Sequence, residues 1–216
     1  KTDWTQVNEG GTTVALGSTG SFPVSVDFEG QTVKYVRISG TESYHWNTTE
    51  NKKNTSITIG DLAFYGEEDT TTPDPDPTPG EGEQGGEGEA ATPIESSKIT
   101  VDSVNGTFEL SGVNGENPAV TNDQIKAAIF DDNNQTYWTS AWVAGDNLAT
   151  GAYYVMKLDG VYSVDRLDYT PRWHEASEKW ACTGNIKNII VEVKVNESDE
   201  WTVLTGETGV DFSSLI

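Results

Sequence analysis

The chain has 216 residues, and 35 Asp and Glu against 13 Lys and Arg give it a formal net charge of -22 at pH 7. This charge argues against nucleic acid and anionic membrane lipid as partners, because contacts to phosphate need basic side chains. No apolar run approaches the roughly 18 residues of a transmembrane helix, and the lone Cys182 excludes a disulfide within the chain. Seven Trp, eight Tyr and six Phe against one Met favour a β-sandwich core over a helical bundle.

Residues 1–66 have the pattern of short strands separated by turns. Their apolar positions alternate or are rich in β-branched and aromatic side chains, and glycines such as Gly17, Gly30 and Gly40 separate the runs. We interpret this segment as half of an antiparallel sandwich. Its strand candidates are residues 12–16, 22–28, 33–39 and 57–65.

Residues 67–93 differ in composition from both flanks. They include TTTPDPDPTPGEGEQGGEGEAATP, which is rich in Pro, Gly and acidic residues and almost without apolar ones. Such a segment buries too little surface to offset the entropy of ordering. We therefore expect a disordered acidic linker, stiffened by proline in its first part and flexible in its second.

The pattern of short strands resumes in residues 94–216. One short helix is predicted over 121–129, and no longer stretch has helical periodicity. Asn-Gly, Asp-Gly and polar runs separate the strands. The strand candidates are residues 98–104, 152–158, 162–169, 186–195 and 201–204.

Residues 127–142, AAIFDDNNQTYWTSAW, contain a dense set of oxygen-bearing side chains between 131 and 136. Oxygen is the ligand that calcium prefers, and Asn and Asp side chains favour a tight loop that folds back on itself. An EF-hand does not fit, because Thr136 and Trp142 stand where that motif needs Gly and Glu. A plain polar turn is the alternative to a metal site.

A weak repeat suggests how the two segments are related. Residues 2–7 resemble residues 199–204, and a glycine turn follows each. The chain thus starts where its second segment is about to end. Either it is a fragment of a tandem array, or residues 1–66 fold onto 94–216 and complete it.

Several motifs occur in a characteristic order: residues 127–142, Tyr-Tyr-Val-Met-Lys-Leu at 153–158, Val-Asp-Arg-Leu-Asp-Tyr-Thr-Pro-Arg at 164–172, Gly-Asn-Ile-Lys at 184–187 and Val-Glu-Val-Lys-Val at 191–195. Together they resemble the discoidin domain, or coagulation factor 5/8 type C domain, whose bacterial relatives are the family 32 carbohydrate-binding modules. Residues 35–38 and 59–66 resemble the last strands of that family. The resemblance implies an all-β fold, a discoidin-type β-sandwich jelly roll.

The resemblance also implies a structural calcium ion. Its ligands would be the side chains of Asp131 and Asn133, carbonyl groups near Ala128 and Thr136, and Asp61 from the first segment. This sequence departs from the family twice: Asp132 stands where Gly is usual, and Asp61 replaces the commoner Glu and has a shorter reach.

Function would then depend on the loops. Aromatic faces stack on sugar rings, and planar polar groups hydrogen-bond their hydroxyls. We predict a site for a neutral or galactose-like glycan formed by Trp142, Arg172, Trp173, His174, Trp180 and Asn185. Trp138 is expected in the core, Trp142 suits either place, and Arg172 has a surface ion pair with Glu175 or Glu178 as its alternative.

The sequence favours binding over catalysis. His174 with Cys182, and Glu175 with Glu178, lie in one loop with nothing to hold them at catalytic geometry. We expect a non-catalytic carbohydrate-binding module of a secreted or surface bacterial protein, whose catalytic domain, if any, lies elsewhere. The alternative is an adhesion module that binds a host or matrix protein. Membrane lipid is disfavoured as a partner by the acidic charge and the absence of a cysteine pair.

Overall fold

Antiparallel β-strands make up most of the described chain. The computed structural model describes residues 3–6, 13–16, 23–43, 56–70, 92–115, 118–141, 152–173, 184–205 and 210–211. The predicted all-β fold is confirmed, in two sheets. The elements are β1 (Asp3–Gln6), β2 (Thr13–Leu16), β3 (Val24–Ser43), β4 (Thr58–Ile59), β5 (Asp61–Glu68), a 3₁₀ turn (Ser96–Lys98), β6 (Ile99–Val104), β7 (Thr107–Leu110), α1 (Asn122–Ile129), β8 (Trp138–Ser140), β9 (Tyr153–Thr170), β10 (Ile186–Lys194), β11 (Thr202–Val203) and β12 (Val210–Asp211).

Strand β9 is the centre of the larger sheet, which has nine strands within the described ranges. Strand β3 pairs with one edge of β9 along nearly its whole length, from Val24 opposite Tyr169 to Ser39 opposite Tyr153. On the other edge β6 pairs with the first part of β9, and β5 pairs with the second part. Strand β10 continues the sheet beyond β3. Strands from both sequence segments therefore alternate within one sheet.

Two pairs of predicted strands are each one long strand in the structure. Residues 22–28 and 33–39 were expected to be separated by a turn at Gly30, but 24–28 and 33–39 both lie within β3, and Gly30 (φ 66°) lies at a shift in the pairing with β9. The predicted strands 152–158 and 162–169 similarly belong to one strand, β9, which begins at Tyr153. There the register moves from Val33 opposite Tyr162 to Tyr35 opposite Lys157. The Gly and Asp-Gly sequences form bulges here and not turns, because the residues before and after each of them pair with the same neighbouring strand.

The predicted strand 57–65 is divided at Gly60 between the two sheets. Strand β4 pairs with β8, which also pairs with β7 in the three-stranded sheet, whereas β5 pairs with β9. A β-carbon at Gly60 would lie 2.7 Å from the carbonyl oxygen of Pro171 and 2.9 Å from the amide nitrogen of Arg172. Glycine is therefore required where the chain passes from one sheet to the other.

The core lies between these sheets and the helix. Trp138 is completely buried, as expected, and its ring packs against Tyr154 with centroids 5.3 Å apart. The predicted helix is confirmed as α1, which starts at a capping box formed by Thr121 and Gln124. None of the helices in the described ranges has the length and hydrophobicity of a membrane-spanning segment.

The flanks of the predicted acidic linker are hydrogen-bonded to each other. Strand β5 extends to Glu68, so the ordered chain continues past the expected boundary at residue 66. The amide of Gly66 donates to the carbonyl of Thr92 (2.9 Å), and the amide of Ile94 donates to the carbonyl of Phe64 (2.8 Å). The chain thus returns to the strand from which it departs. Residues 71–91 lie outside the described ranges.

We expect the protein to stay assembled when its backbone is cut between residues 80 and 81, at an inserted site for a specific protease. Because β9 pairs with β3 on one edge and with β5 on the other, separation of the fragments would leave unpaired backbone groups along β9 in one fragment and along β3 and β5 in the other. The fragments should co-elute in gel filtration in buffer and separate in denaturant. Fragments that separate in buffer would contradict the interleaved pairing.

Candidate functional site

Three short segments meet at one end of β9. Residue Asp61, at the start of β5, pairs with Thr170, the last residue of β9. The amide of Gly60 donates to the carbonyl of Thr170 (3.0 Å), and the amide of Trp173 donates to the carbonyl of Asn134 (2.9 Å). The loop of residues 131–136, the β4–β5 junction and residues 171–173 therefore form one structural unit.

The loop of residues 131–136, the oxygen loop, is curled by its own side chains, as predicted. Oδ1 of Asp131 accepts from the amide of Asn133 (3.1 Å), and Oδ1 of Asn133 accepts from the amide of Gln135 (3.0 Å). The Thr136 hydroxyl lies 2.9 and 2.8 Å from the two carboxylate oxygens of Asp131. Asp132 has a φ of 57°, which Asp tolerates better than most residues.

Asp61 lies against this loop. Its Oδ1 accepts from the amide of Asp132 at 3.3 Å. The pKa of Asp61 is raised from 3.8 to about 6, chiefly by burial and to a smaller extent by the negative charges of Asp131 and Asp132, against the lowering effect of hydrogen bonds from the Asp132 and Asp131 amides. The carboxyl of Asp61 is thus held in surroundings that penalise its ionised form.

The oxygen donors at this position fit a hard cation such as calcium. Carboxylate, amide, hydroxyl and carbonyl oxygens are present in Asp61, Asp131, Asn133 and Thr136, and each carboxylate can coordinate a metal and accept a hydrogen bond at the same time. Ala128 is in the last turn of α1, where carbonyls lack helical partners and the helix dipole favours positive charge. In the described ranges no three His, Cys, Asp or Glu side chains form a recognisable metal site; the predicted set contains only two such side chains.

Arg172 is held in place through its backbone. The side-chain amide of Asn185 accepts from the amide of Arg172 (3.0 Å) and donates to its carbonyl (2.9 Å). Asn185 is completely buried. Its described contacts are therefore those of a residue that positions Arg172, although the sequence predicted it among the ligand contacts.

The guanidinium of Arg172 is oriented by Tyr137 and Glu109. Its Cζ lies 3.6 Å from the centroid of the Tyr137 ring, and its Nη1 lies 3.5 Å from Oε2 of Glu109. The other carboxylate oxygen of Glu109 accepts a short hydrogen bond from the Tyr137 hydroxyl. The surface partner expected for Arg172 was Glu175 or Glu178, both outside the described residues, whereas the described partner is Glu109.

The remaining predicted ligand residues divide into two groups. Trp173 directly follows Arg172 in the chain and is partly exposed at this end of the sheet. The second group, Trp142, His174 and Trp180, lies outside the described residues.

Glu109 and Tyr137 were not among the predicted site residues. Glu109 is in β7, which was not predicted, although Asn105-Gly106 is a hairpin signal directly before its alternating sequence Thr-Phe-Glu-Leu. Tyr137 precedes the buried Trp138 and is itself buried. Only the tertiary contact with Arg172 distinguishes it from an ordinary core tyrosine.

Comparison with known proteins does not identify the chain. No model of a known protein family matches it, and a search of characterised proteins finds no similar sequence. The discoidin resemblance therefore stays a prediction.

Asp61 should make stability depend on pH in chelator-treated protein. Its pKa of about 6 in the folded chain exceeds the unfolded value of 3.8, so the folded state binds the proton more tightly and gains stability as the pH falls from 7 towards 4. Because the carboxyl is partly exposed and solvent screens its charge, we expect about 1 kcal/mol and not the roughly 3 kcal/mol of a fully buried group.

Urea unfolding at pH 5, 6 and 7 would measure this effect. Asp61→Asn should remove the gain, and the variant should be more stable than the parent at pH 7. Asp102→Asn, at an exposed position on β6, is the matched control and should keep the parental pH dependence. An Asp61→Asn curve parallel to the parent would contradict the prediction.

Proposed function

We propose that this chain is a non-catalytic carbohydrate-binding module with a discoidin-type jelly roll, in a secreted or surface bacterial protein. The observation that supports this most is the fixed geometry of Arg172, which the partly exposed Trp173 directly follows in the chain. A planar donor group next to an aromatic side chain suits a sugar, which has an apolar ring face and a rim of hydroxyls.

Preorganisation supports a binding role for Arg172. Its backbone is held by Asn185, and its guanidinium lies on Tyr137 and beside Glu109. Arginine loses considerable side-chain entropy when a ligand immobilises it. Here the fold has already restricted the side chain, so a weak ligand such as a monosaccharide would lose less affinity to ordering.

The chemistry of these groups favours binding over bond cleavage. A guanidinium stays protonated and cannot act as a general base at neutral pH. Glu109 is paired with Arg172 and accepts from Tyr137. The proposal therefore assigns recognition to this site and no reaction step.

We assign a structural calcium ion to the oxygen loop. Asp61, Asp131, Asn133, Thr136 and the Ala128 carbonyl would hold it, and the ion would supply the positive charge that offsets three neighbouring carboxylates. The raised pKa of Asp61 supports this assignment, because burial first, and then the charges of Asp131 and Asp132, make the ionised form of Asp61 costly, and a bound cation would offset that cost.

Glycan binding should depend on Trp173 and Arg172. On an array of neutral and galactose-type glycans, we expect the parent to bind and Trp173→Ala and Arg172→Lys each to lose about tenfold in affinity, since one loses the stacking face and the other the planar fork. Trp201→Ala is the matched control, because Trp201 packs on Arg37 elsewhere in the sheet, and it should bind like the parent.

Two outcomes would overturn the proposal. A blank array for the folded parent, with binding to a host or matrix protein, would favour the adhesion module. Equal loss of sugar binding in the Trp201 control would place the site elsewhere on the molecule.

Calcium should raise the melting temperature. At a concentration 100-fold above its dissociation constant, a bound ion stabilises the folded state by about 2.7 kcal/mol. Asp131→Ala should abolish the difference between calcium and chelator, and Asp61→Asn should reduce it. The exposed Asp102→Ala control should respond like the parent. If the parent melts at the same temperature with calcium and with chelator, the oxygen loop is a plain polar turn.

A further inference from the structure

The pair of Arg172 and Glu109 places opposite charges side by side at the proposed binding surface. Nη1 of Arg172 and Oε2 of Glu109 are 3.5 Å apart. The Glu109 side chain is 40% exposed and that of Arg172 is 20% exposed, so both remain accessible to a ligand. The pair therefore offers N–H donors next to carboxylate acceptors.

Tyr137 fixes the orientation of this pair. Its ring supports the guanidinium of Arg172, and its hydroxyl donates to the carboxylate of Glu109. Because one oxygen of Glu109 accepts from Tyr137, the other is directed to Arg172. A carboxylate oxygen retains further lone pairs, so Glu109 can still accept from a ligand hydroxyl.

A donor next to an acceptor matches two adjacent hydroxyls of a neutral sugar. One hydroxyl accepts from Arg172, and its neighbour donates to Glu109. A carboxylate or sulfate that approaches Arg172 would instead meet Glu109 at close range, and like charges in such proximity strongly disfavour binding. The overall charge of -22 acts in the same direction, but salt screens that long-range repulsion more effectively.

We propose that Glu109 is the specificity-determining residue of this site and makes it select neutral glycans with adjacent hydroxyls over uronic, sialylated or sulfated ones. The inference rests on the proposed glycan-binding function and adds the residue that sets the selectivity of the site. Glu109 neutralises Arg172 locally, so the site binds hydroxyls and not anions.

A matched pair of ligands tests the charge selection directly. Methyl β-galactoside and methyl β-galacturonide differ at C6, where a hydroxymethyl group is replaced by a carboxylate. Calorimetric titration of the parent at 0.15 M salt should give tighter binding of the galactoside. Glu109→Gln keeps an acceptor for Tyr137 and removes the charge, so the ratio of the two affinities should fall roughly tenfold.

Glu200→Gln is the matched control, because it changes the net charge equally. Glu200 is exposed and lies beyond the C-terminal end of β10, whereas Asn185 lies just before its N-terminal end. The nine residues of this strand place Glu200 roughly 25 Å from the site. We expect this variant to keep the parental ratio. If Glu109 had only a structural role, Glu109→Gln would weaken the binding of both sugars equally and leave the ratio of their affinities unchanged.

The outcomes separate the two proposals. If the parent binds the galactoside more tightly and Glu109→Gln keeps the parental ratio, the charge selection is wrong and glycan binding stands. The same holds if Glu200→Gln lowers the ratio as much as Glu109→Gln does. If the folded parent binds neither sugar, the galactose-type function fails, and the inference fails with it.

Discussion

The antiparallel pairing of β9 with its neighbours is the constraint on which the rest of the structure depends. Backbone groups of β9 pair with β3 on one edge and with β6 and then β5 on the other. Each buried N–H and C=O that lost its partner would cost free energy comparable to a lost hydrogen bond. Residues far apart in the sequence are therefore held together by a ladder that involves both sequence segments.

Close contacts between backbone segments position the candidate site relative to these paired strands. Gly60 lets β4 and β5 pass against residues 171–172. Gly184 has a φ of 86°, and a β-carbon there would lie 2.1 Å from Oγ1 of Thr58, so only glycine suits that position. Its carbonyl accepts from the amide of Thr58. The next residue, Asn185, then holds Arg172, which makes the position of the guanidinium a consequence of strand packing.

The sequence predicted the local features well, because local chemistry determines them. The short helix α1, the curled oxygen loop and the burial of Trp138 follow from neighbouring residues. The merged strands β3 and β9 did not follow, since a glycine that marks a turn in one context marks a bulge in another. The partner of Arg172 was also missed. Glu109 is 63 residues away along the chain, and only long-range strand pairing brings the two together.

The oxygen loop and Arg172 share structural supports, which makes the two proposed roles interdependent. The carbonyl of Asn134 accepts from the amide of Trp173, and Tyr137, on which Arg172 lies, directly follows the loop. Repulsion among the carboxylates of the loop and Asp61 opposes the curled conformation, whereas the hydrogen bonds of Asp131 and Asn133 favour it. With that repulsion neutralised by a cation, the loop would hold both Trp173 and Tyr137 more firmly. Ion binding would thereby strengthen sugar binding without direct contact between the ion and the ligand.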